Sequence, residues 1–244
     1  MLTTFETVLE TKQKLTDDVY LFRFRLVRPD KIVFLPGQYL IADIPQKNNQ
    51  SIKRLYSIAS SPDQTGRFDL IIKIVEKGLG GSYLMNLDIG RPLLFQGPAG
   101  AFTLKNTDRS KVFLATGTGI APIKSMIASI KNFEYKIKSY LFWGLPYISE
   151  VFMAEELKEM EKSGNFSFDI CLSRETDLGE VAGDDKKHFT LGRIDKGLDD
   201  FFLKTESFKD YEYYICGNPG VVESIRQYLF QKGIDTGNIF SEKF

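Results

Sequence analysis

The hydrophobic period of the chain changes once, near residue 105, and that change limits the fold more than any other feature. Before it, short segments alternate with a period of two. Tyr20, Phe22, Phe24 and Leu26 interleave with Leu21, Arg23 and Arg25. Pro36-Gly37 marks a turn into Gln38–Ala42, and Asp63–Gly66 separates Leu55–Ala59 from Phe68–Val75. Many short strands at close spacing predict an antiparallel β-barrel over residues 1–104. One short helix is expected there, beginning near Ser82 with that serine as its N-cap.

After the change, strands alternate with helices. Lys111–Ala115 reads as an apolar strand, followed by a helical stretch to Ile130. Tyr135–Trp143 is a second strand, Ser149–Lys162 a Glu/Lys-rich helix, Phe166–Leu172 a third strand and Tyr213–Cys216 a fourth. Pro219–Lys232 is a helix with Gly233 just past its end, where a left-handed residue closes many helices. This alternation predicts an α/β domain with a doubly wound parallel sheet over residues 105–244. The polar run Asn106–Ser110 is the expected boundary.

Composition removes several functions. Thirty-two basic and 32 acidic residues give zero formal charge, which argues against nucleic-acid binding through bulk charge. Two cysteines, Cys171 and Cys216, are too few for an iron–sulfur cluster, and with His188 alone they fall short of a structural zinc site. A serine-protease-type triad would have to use His188, which sits in the polar run Asp184–His188 and is expected in a solvated loop. No basic-then-apolar leader opens the chain, and no apolar run is long enough to span a membrane. A reducing cytoplasm is the expected location.

Four local motifs carry chemistry. Gly117-Thr118-Gly119 joins a strand to a helix, where free amides and the helix dipole suit a phosphate. A plain tight turn explains the same letters, and Pro122 breaks the full dinucleotide fingerprint. Gly80-Gly81-Ser82 opens the short helix, again freeing amides, or is simply a glycine loop with a cap. Arg54 and Tyr56 share one face of a strand and Ser57 takes the other. They suit a phosphate and a stacked ring, or a surface cation and a packed tyrosine. Cys216-Gly217-Asn218-Pro219 stands at the carboxyl end of a strand, where open α/β sheets bind ligands. A buried structural thiol is the other reading, and it is the one adopted for Cys171.

In this order and over both halves, the motifs resemble the ferredoxin–NADP⁺ reductase superfamily. Arg54-Leu55-Tyr56-Ser57 is similar to the flavin motif of that family, and Gly80–Ser82 to its second pyrophosphate motif. Gly97-Pro98-Ala99-Gly100-Ala101-Phe102 resembles the turn that closes the flavin domain. Gly117–Pro122 resembles the NAD(P) loop, Cys216–Pro219 the motif beside the nicotinamide, and Glu242-Lys243-Phe244 the aromatic terminus.

The resemblance implies bound FAD, with Arg54 on its pyrophosphate, Tyr56 on the flavin, and Leu55, Ile72 and Lys73 in the same site. It implies catalytic roles for Ser57, Cys216 and Glu242, and a stacking role for Phe244. Gly117, Thr118, Gly119 and Gly217 would hold the nicotinamide nucleotide. Ser173-Arg174 resembles the segment that grips the 2′-phosphate of NADP, and Arg193 is a second cation for it. NADP is therefore expected, with NAD the other choice because Pro146 stands where an Arg often follows Trp143-Gly144. The implied activity is electron transfer between NADPH and a small carrier, ferredoxin or flavodoxin, by a monomer in stand-alone form without an iron–sulfur domain. The alternatives are an NAD(P)H:flavin reductase, an NADH-dependent reductase component of an oxygenase, and a non-catalytic nucleotide-binding module. An acidic carrier would need basic residues near the flavin, for which Arg23, Arg25 and Lys53 are candidates.

Overall fold

The computed structural model of the chain describes residues 2–46, 50–130, 137–179 and 181–244. Contacts divide it into two units, Met1–Lys105 with Ala121–Asn132, and Asn106–Ile120 with Phe133–Phe244.

The first unit is an antiparallel sheet of six strands: β1 (Thr3–Lys14), β2 (Val19–Arg28), β3 (Tyr39–Pro45), β4 (Ser51–Ser57), β5 (Arg67–Lys73) and β6 (Pro92–Ala99). Their order is β4-β3-β6-β1-β2-β5. The outermost strands are drawn together by an antiparallel bridge, Ile58 to Leu70, and by the Ala59 N–H donating to the Asp69 carbonyl at 2.8 Å. This curls the sheet into a barrel. The period-two pattern explains why: Phe22, Phe24 and Leu26 all face inward and are buried. Phe24, Phe68 and Phe95 pack at ring separations of 4.9 to 5.6 Å, two of the three contacts edge-to-face. Burial of each such ring contributes about 1.5–3 kcal/mol.

Helix α1 (Leu79–Asn86) follows β5. Its N-cap is Gly78, not Ser82, which lies a turn inside the helix with its N–H donating to the Gly78 carbonyl. A turn between Val75 and Gly78, with Lys77 at φ 60°, starts the helix earlier than the capping letters suggest. Gly80 and Gly81 are therefore helical residues. Helix α2 (Ile120–Ile130) groups with this unit from Ala121 onward.

The second unit is a parallel sheet of β7 (Lys111–Thr116), β8 (Ser139–Leu145), β9 (Phe166–Leu172), β10 (Phe189–Leu191), β11 (Glu212–Gly217) and β12 (Ile239–Lys243). The order is β10-β9-β8-β7-β11-β12. From β7 the chain steps outward through β8, β9 and β10, then returns to lay β11 on the other side of β7. The order therefore reverses between β7 and β11. Helices α3 (Ala154–Glu161), α4 (Ile194–Lys204) and α5 (Pro219–Gln231) complete the unit.

Three expectations need correction or limit. The helix expected from Ser149 begins only at Ala154, because Met153 adopts the left-handed conformation at φ 65°. His188 is buried, not solvated: its ring stacks on Phe168 at 4.3 Å and Nε2 lies 3.5 Å from Glu161. An apolar aromatic face on β9 draws it in despite its polar neighbours. Tyr135 and Lys136, read as strand, lie outside the described residues. Helix α4 and strands β10 and β12 had no sequence signal strong enough to name them.

At the amino ends of β7 and β11, Lys111 and Glu212 are 1% and 4% exposed and lie opposite one another. The ammonium donates to Glu212 Oε2 at 2.8 Å. Tyr214 donates to the same oxygen at 2.7 Å and Thr107 to Oε1 at 2.8 Å. Breaking a buried pair by removing one partner costs about 3–5 kcal/mol, because the other charge stays buried. Lys111→Met should lower the urea midpoint accordingly, and Lys111→Met with Glu212→Leu should recover most of the loss. A single variant that unfolds at the wild-type midpoint would show that the pair carries no such cost.

Candidate active site

In the first unit, β4 and α1 bring together three of the expected flavin residues. Gly80 is buried beside the strand, and a Cβ there would stand 2.5 Å from Tyr56 Oη and 2.9 Å from Arg54 Cγ. A side chain there would have to push Tyr56 and Arg54 aside. Tyr56 is half-buried on the inner face, and burial raises its pKa against the opposing Arg54 charge. Arg54 is exposed, and its guanidinium reaches the Lys53 carbonyl at 3.0 Å. Ser57 ends the strand, half-buried, opposite Tyr39. Leu55 points to the other face and is exposed. Ile72 packs in the barrel core, and Lys73 pairs with Asp18 at 2.8 Å on the surface. Gly81 and Ser82 are half-buried on α1.

In the second unit, the carboxyl ends of β7 and β11 form the point where strand order reverses, the place where open α/β sheets bind ligands. Gly117–Gly119 makes one tight 3-10 turn leading into α2. Gly117 has φ 52°, and a Cβ on it would meet nothing within 4 Å, so that side of the turn is open. Gly119 backs onto β11, where a Cβ would stand 2.2 Å from the Cys216 carbonyl oxygen. Gly217 has φ 142°, and its Cβ would overlap the Thr116 hydroxyl. That hydroxyl accepts from the Asn218 N–H at 3.2 Å, and Asn218 caps α5 by accepting from the Gly220 N–H at 3.0 Å.

Cys216 is buried, and burial raises its thiol pKa, with the neighbouring Glu242 adding to the shift. Glu242 lies opposite it in register on β12. Among the described residues, Glu242 Oε2 is buried without a hydrogen-bond partner, and burial pushes the carboxyl pKa up to about 7. Phe244 donates its N–H to the Gly217 carbonyl at 3.3 Å and leaves its ring 56% exposed.

Farther along the sheet, Arg174 and Arg193 each stand two residues beyond a matched pair, Leu172 and Leu191, on adjacent strands. Both are exposed, and Arg193 directly precedes α4. The Ser173 and Arg174 N–H groups donate at 2.9 Å to the Leu145 and Pro146 carbonyls. The three basic residues considered for docking are engaged: Arg23 is bidentate on Asp69 at 2.7 and 2.8 Å, Arg25 lies 3.6 Å from Glu10, and Lys53 donates to Gln96.

Comparison with known proteins decides the family. Residues 6–104 match the family described as oxidoreductase FAD-binding domain, and residues 113–227 the oxidoreductase NAD-binding domain. Ferredoxin–NADP reductase B of Sorangium cellulosum is 31% identical over 172 residues, covering 70% of each chain. The chain belongs to the ferredoxin–NADP⁺ reductase superfamily.

A further relative and a solved structure widen the picture. The anthranilate 1,2-dioxygenase electron transfer component of Acinetobacter baylyi is 28% identical over 213 residues, covering 86% of this chain and 58% of the relative. The crystal structure of the cytochrome P450 reductase GcoB from Amycolatopsis shares the fold with a TM-score of 0.86 at 21% identity, over 100% of this chain and 70% of that one. The chain spans 58–69% of the length of the first curated relatives it matches. The family assigns FAD and a nicotinamide cofactor to the two units. The residues fit them: a glycine cradle beside Arg54 and Tyr56 in one, an open glycine turn at the switch point in the other. Among the described residues, no helix is long and apolar enough to cross a membrane.

Thr116 and Trp143 were given no role from sequence, and Glu175 only its place in the segment Ser173-Arg174-Glu175. Thr116 directly precedes the glycine loop, and Trp143 is the chain's single tryptophan. Glu175 follows Arg174 and accepts from the Ile148 N–H at 3.0 Å. Its only sequence signal is its place beside that arginine.

The Glu242 shift has a consequence for stability. Folding raises its pKa from 4.5 to about 7, so between those values the folded chain holds the proton more tightly than the unfolded one. This contribution to stability is full below pH 4.5 and is lost as pH rises to about 7. Glu242→Gln should therefore gain stability relative to wild type between pH 5 and pH 8, measured by urea unfolding at both. An unchanged difference between the two proteins would show that Glu242 titrates normally.

Proposed function

We propose that the chain is an FAD-dependent reductase that moves electrons between NADPH and a small carrier protein, a ferredoxin or flavodoxin. The observation that carries the choice of NADPH is the pair Arg174 and Arg193, exposed on neighbouring strand ends. Two guanidinium forks suit a 2′-phosphate, and nothing comparable is needed for a ribose diol.

FAD, when bound, supplies hydride exchange with a nicotinamide and release of electrons one at a time. The protein's residues do the rest. Arg54 binds the flavin diphosphate, and the absent side chain at Gly80 lets α1 lie against Arg54 and Tyr56, with Gly81 adding its amide and Ser82 its hydroxyl. Tyr56 packs on the ring system, while Leu55, Ile72 and Lys73 contribute through the backbone of β4 and β5 only. Gly117, Thr118 and Gly119 cradle the nicotinamide nucleotide, assisted by Ser173 and Gly217. Ser57 acts beside the flavin ring and Cys216 beside the nicotinamide, and Phe244 offers a stacking face that moves aside for the nicotinamide. Glu242, with its raised pKa, holds a proton near neutral pH and passes it on.

A second reading, a reductase component serving an oxygenase, is supported by the likeness to the Acinetobacter electron transfer component. The two readings share the flavin site and differ in acceptor and nicotinamide.

Gly80→Ala should weaken FAD binding about tenfold, a loss of about 1.4 kcal/mol, followed by recovery of flavin fluorescence on dilution. Retained affinity would remove Gly80 from the site. The function itself is tested by anaerobic titration with NADPH and NADH, following the flavin absorbance, in wild type and Arg174→Ala. Wild type should be bleached by NADPH at low equivalents, and the variant should lose most of its preference over NADH. Faster bleaching of wild type by NADH supports the oxygenase-component reading. Colourless protein that turns over only added flavin would overturn tight FAD binding.

A further inference from the structure

Trp143 lies at the centre of β8, 0% exposed, between Ala115 on β7 and Ile170 on β9. Its indole N–H donates to the Gly117 carbonyl at 3.0 Å. That oxygen also accepts from the Ile120 N–H, which closes the 3-10 turn. Two donors thus hold one carbonyl of the glycine loop, and one of them comes from a rigid strand interior. Phe152 packs edge-on against the indole at 4.7 Å, so the ring cannot swing away.

A trans peptide points its C=O and the next N–H in opposite directions. Fixing the Gly117 carbonyl toward the indole therefore turns the Thr118 N–H away from it. The open side of Gly117, where a Cβ would meet nothing, lies in the same turn. An apolar residue at position 143 would fill the core but leave the Gly117 carbonyl held by the Ile120 N–H alone.

We propose that Trp143 is a positioning residue for the nucleotide loop: its indole N–H orients the Gly117–Thr118 peptide so that the Thr118 amide faces the phosphates of the nicotinamide nucleotide. This rests on the reading of Gly117–Gly119 as the nucleotide loop. Trp143 touches no substrate. It acts through the backbone, and its effect belongs to binding more than to the chemical step.

The chain has one tryptophan, so its proton–nitrogen NMR spectrum holds one indole cross-peak. Titrating the oxidised, flavin-loaded protein with NADP⁺, and separately with NAD⁺, should move that peak in step with binding measured by calorimetry. Trp143→Phe keeps a ring and removes the N–H. It should raise the dissociation constant and KM of the preferred nucleotide about tenfold, with kcat, flavin content and melting temperature within a factor or a few degrees of wild type. Wild-type affinity in Trp143→Phe overturns the proposal. If that variant does not fold, an indole peak that stays fixed while calorimetry shows saturation overturns it instead. Absence of calorimetric binding by wild type to either nucleotide refutes the underlying site, and the proposal with it.

Discussion

The carboxyl ends of β7 and β11 approach so closely that no side chain fits between the turns that follow them. A Cβ at Gly119 would strike the Cys216 carbonyl, and one at Gly217 would strike Thr116. The first contact is with backbone; the second is with the Thr116 hydroxyl, backed by the Thr116 carbonyl at 2.9 Å, and Gly217 has φ 142°. Both turns must be glycine for the strands to lie side by side, and the reversal of strand order forces those strands to be neighbours. The site is thus a consequence of topology: two backbones converge with exposed amide edges, and the residues attached to them, Cys216 and Thr118, are delivered without a dedicated loop.

The same two strands are fastened at their other ends by the buried Lys111–Glu212 pair. One end is held by charge in a dry environment and the other by backbone contact. A pair so buried is costly to form but strongly directional, because every oxygen and proton of it needs a partner. Thr107 and Tyr214 supply those partners, which ties the polar segment before β7 into the sheet.

Much of this was legible in the letters. The change of period near residue 105 separates antiparallel from parallel architecture because apolar and polar residues alternate along a strand with one buried face and run apolar throughout along a strand buried on both. The glycine turns were legible because glycine is chosen for space and φ, which are local demands. What stayed hidden depends on distant partners. Gly80 reads as a loop residue until Tyr56 and Arg54 are seen against it. His188 reads as solvated until Phe168 is placed beneath it. Strand β12 has few residues and a polar pattern, and it is a strand because β11 offers it an edge. The unusual state of Glu242 follows from that pairing and from nothing in its own neighbourhood in sequence.

Glu175 shows how a contact can change the meaning of a sequence. An acidic residue next to Arg174 would ordinarily argue for a ribose diol and against a 2′-phosphate, since it would both accept from the diol and repel the phosphate. Here one of its oxygens is spent on the Ile148 N–H at 3.0 Å, within a turn whose Leu145 and Pro146 carbonyls accept from Ser173 and Arg174. The carboxylate therefore braces two adjacent strand ends against each other. The carboxylate keeps its charge, but this oxygen is turned toward the β8 turn, while Arg174 and Arg193 are exposed at the strand ends. The sequence shows only that a glutamate follows an arginine; the hydrogen bond shows which way its carboxylate is turned.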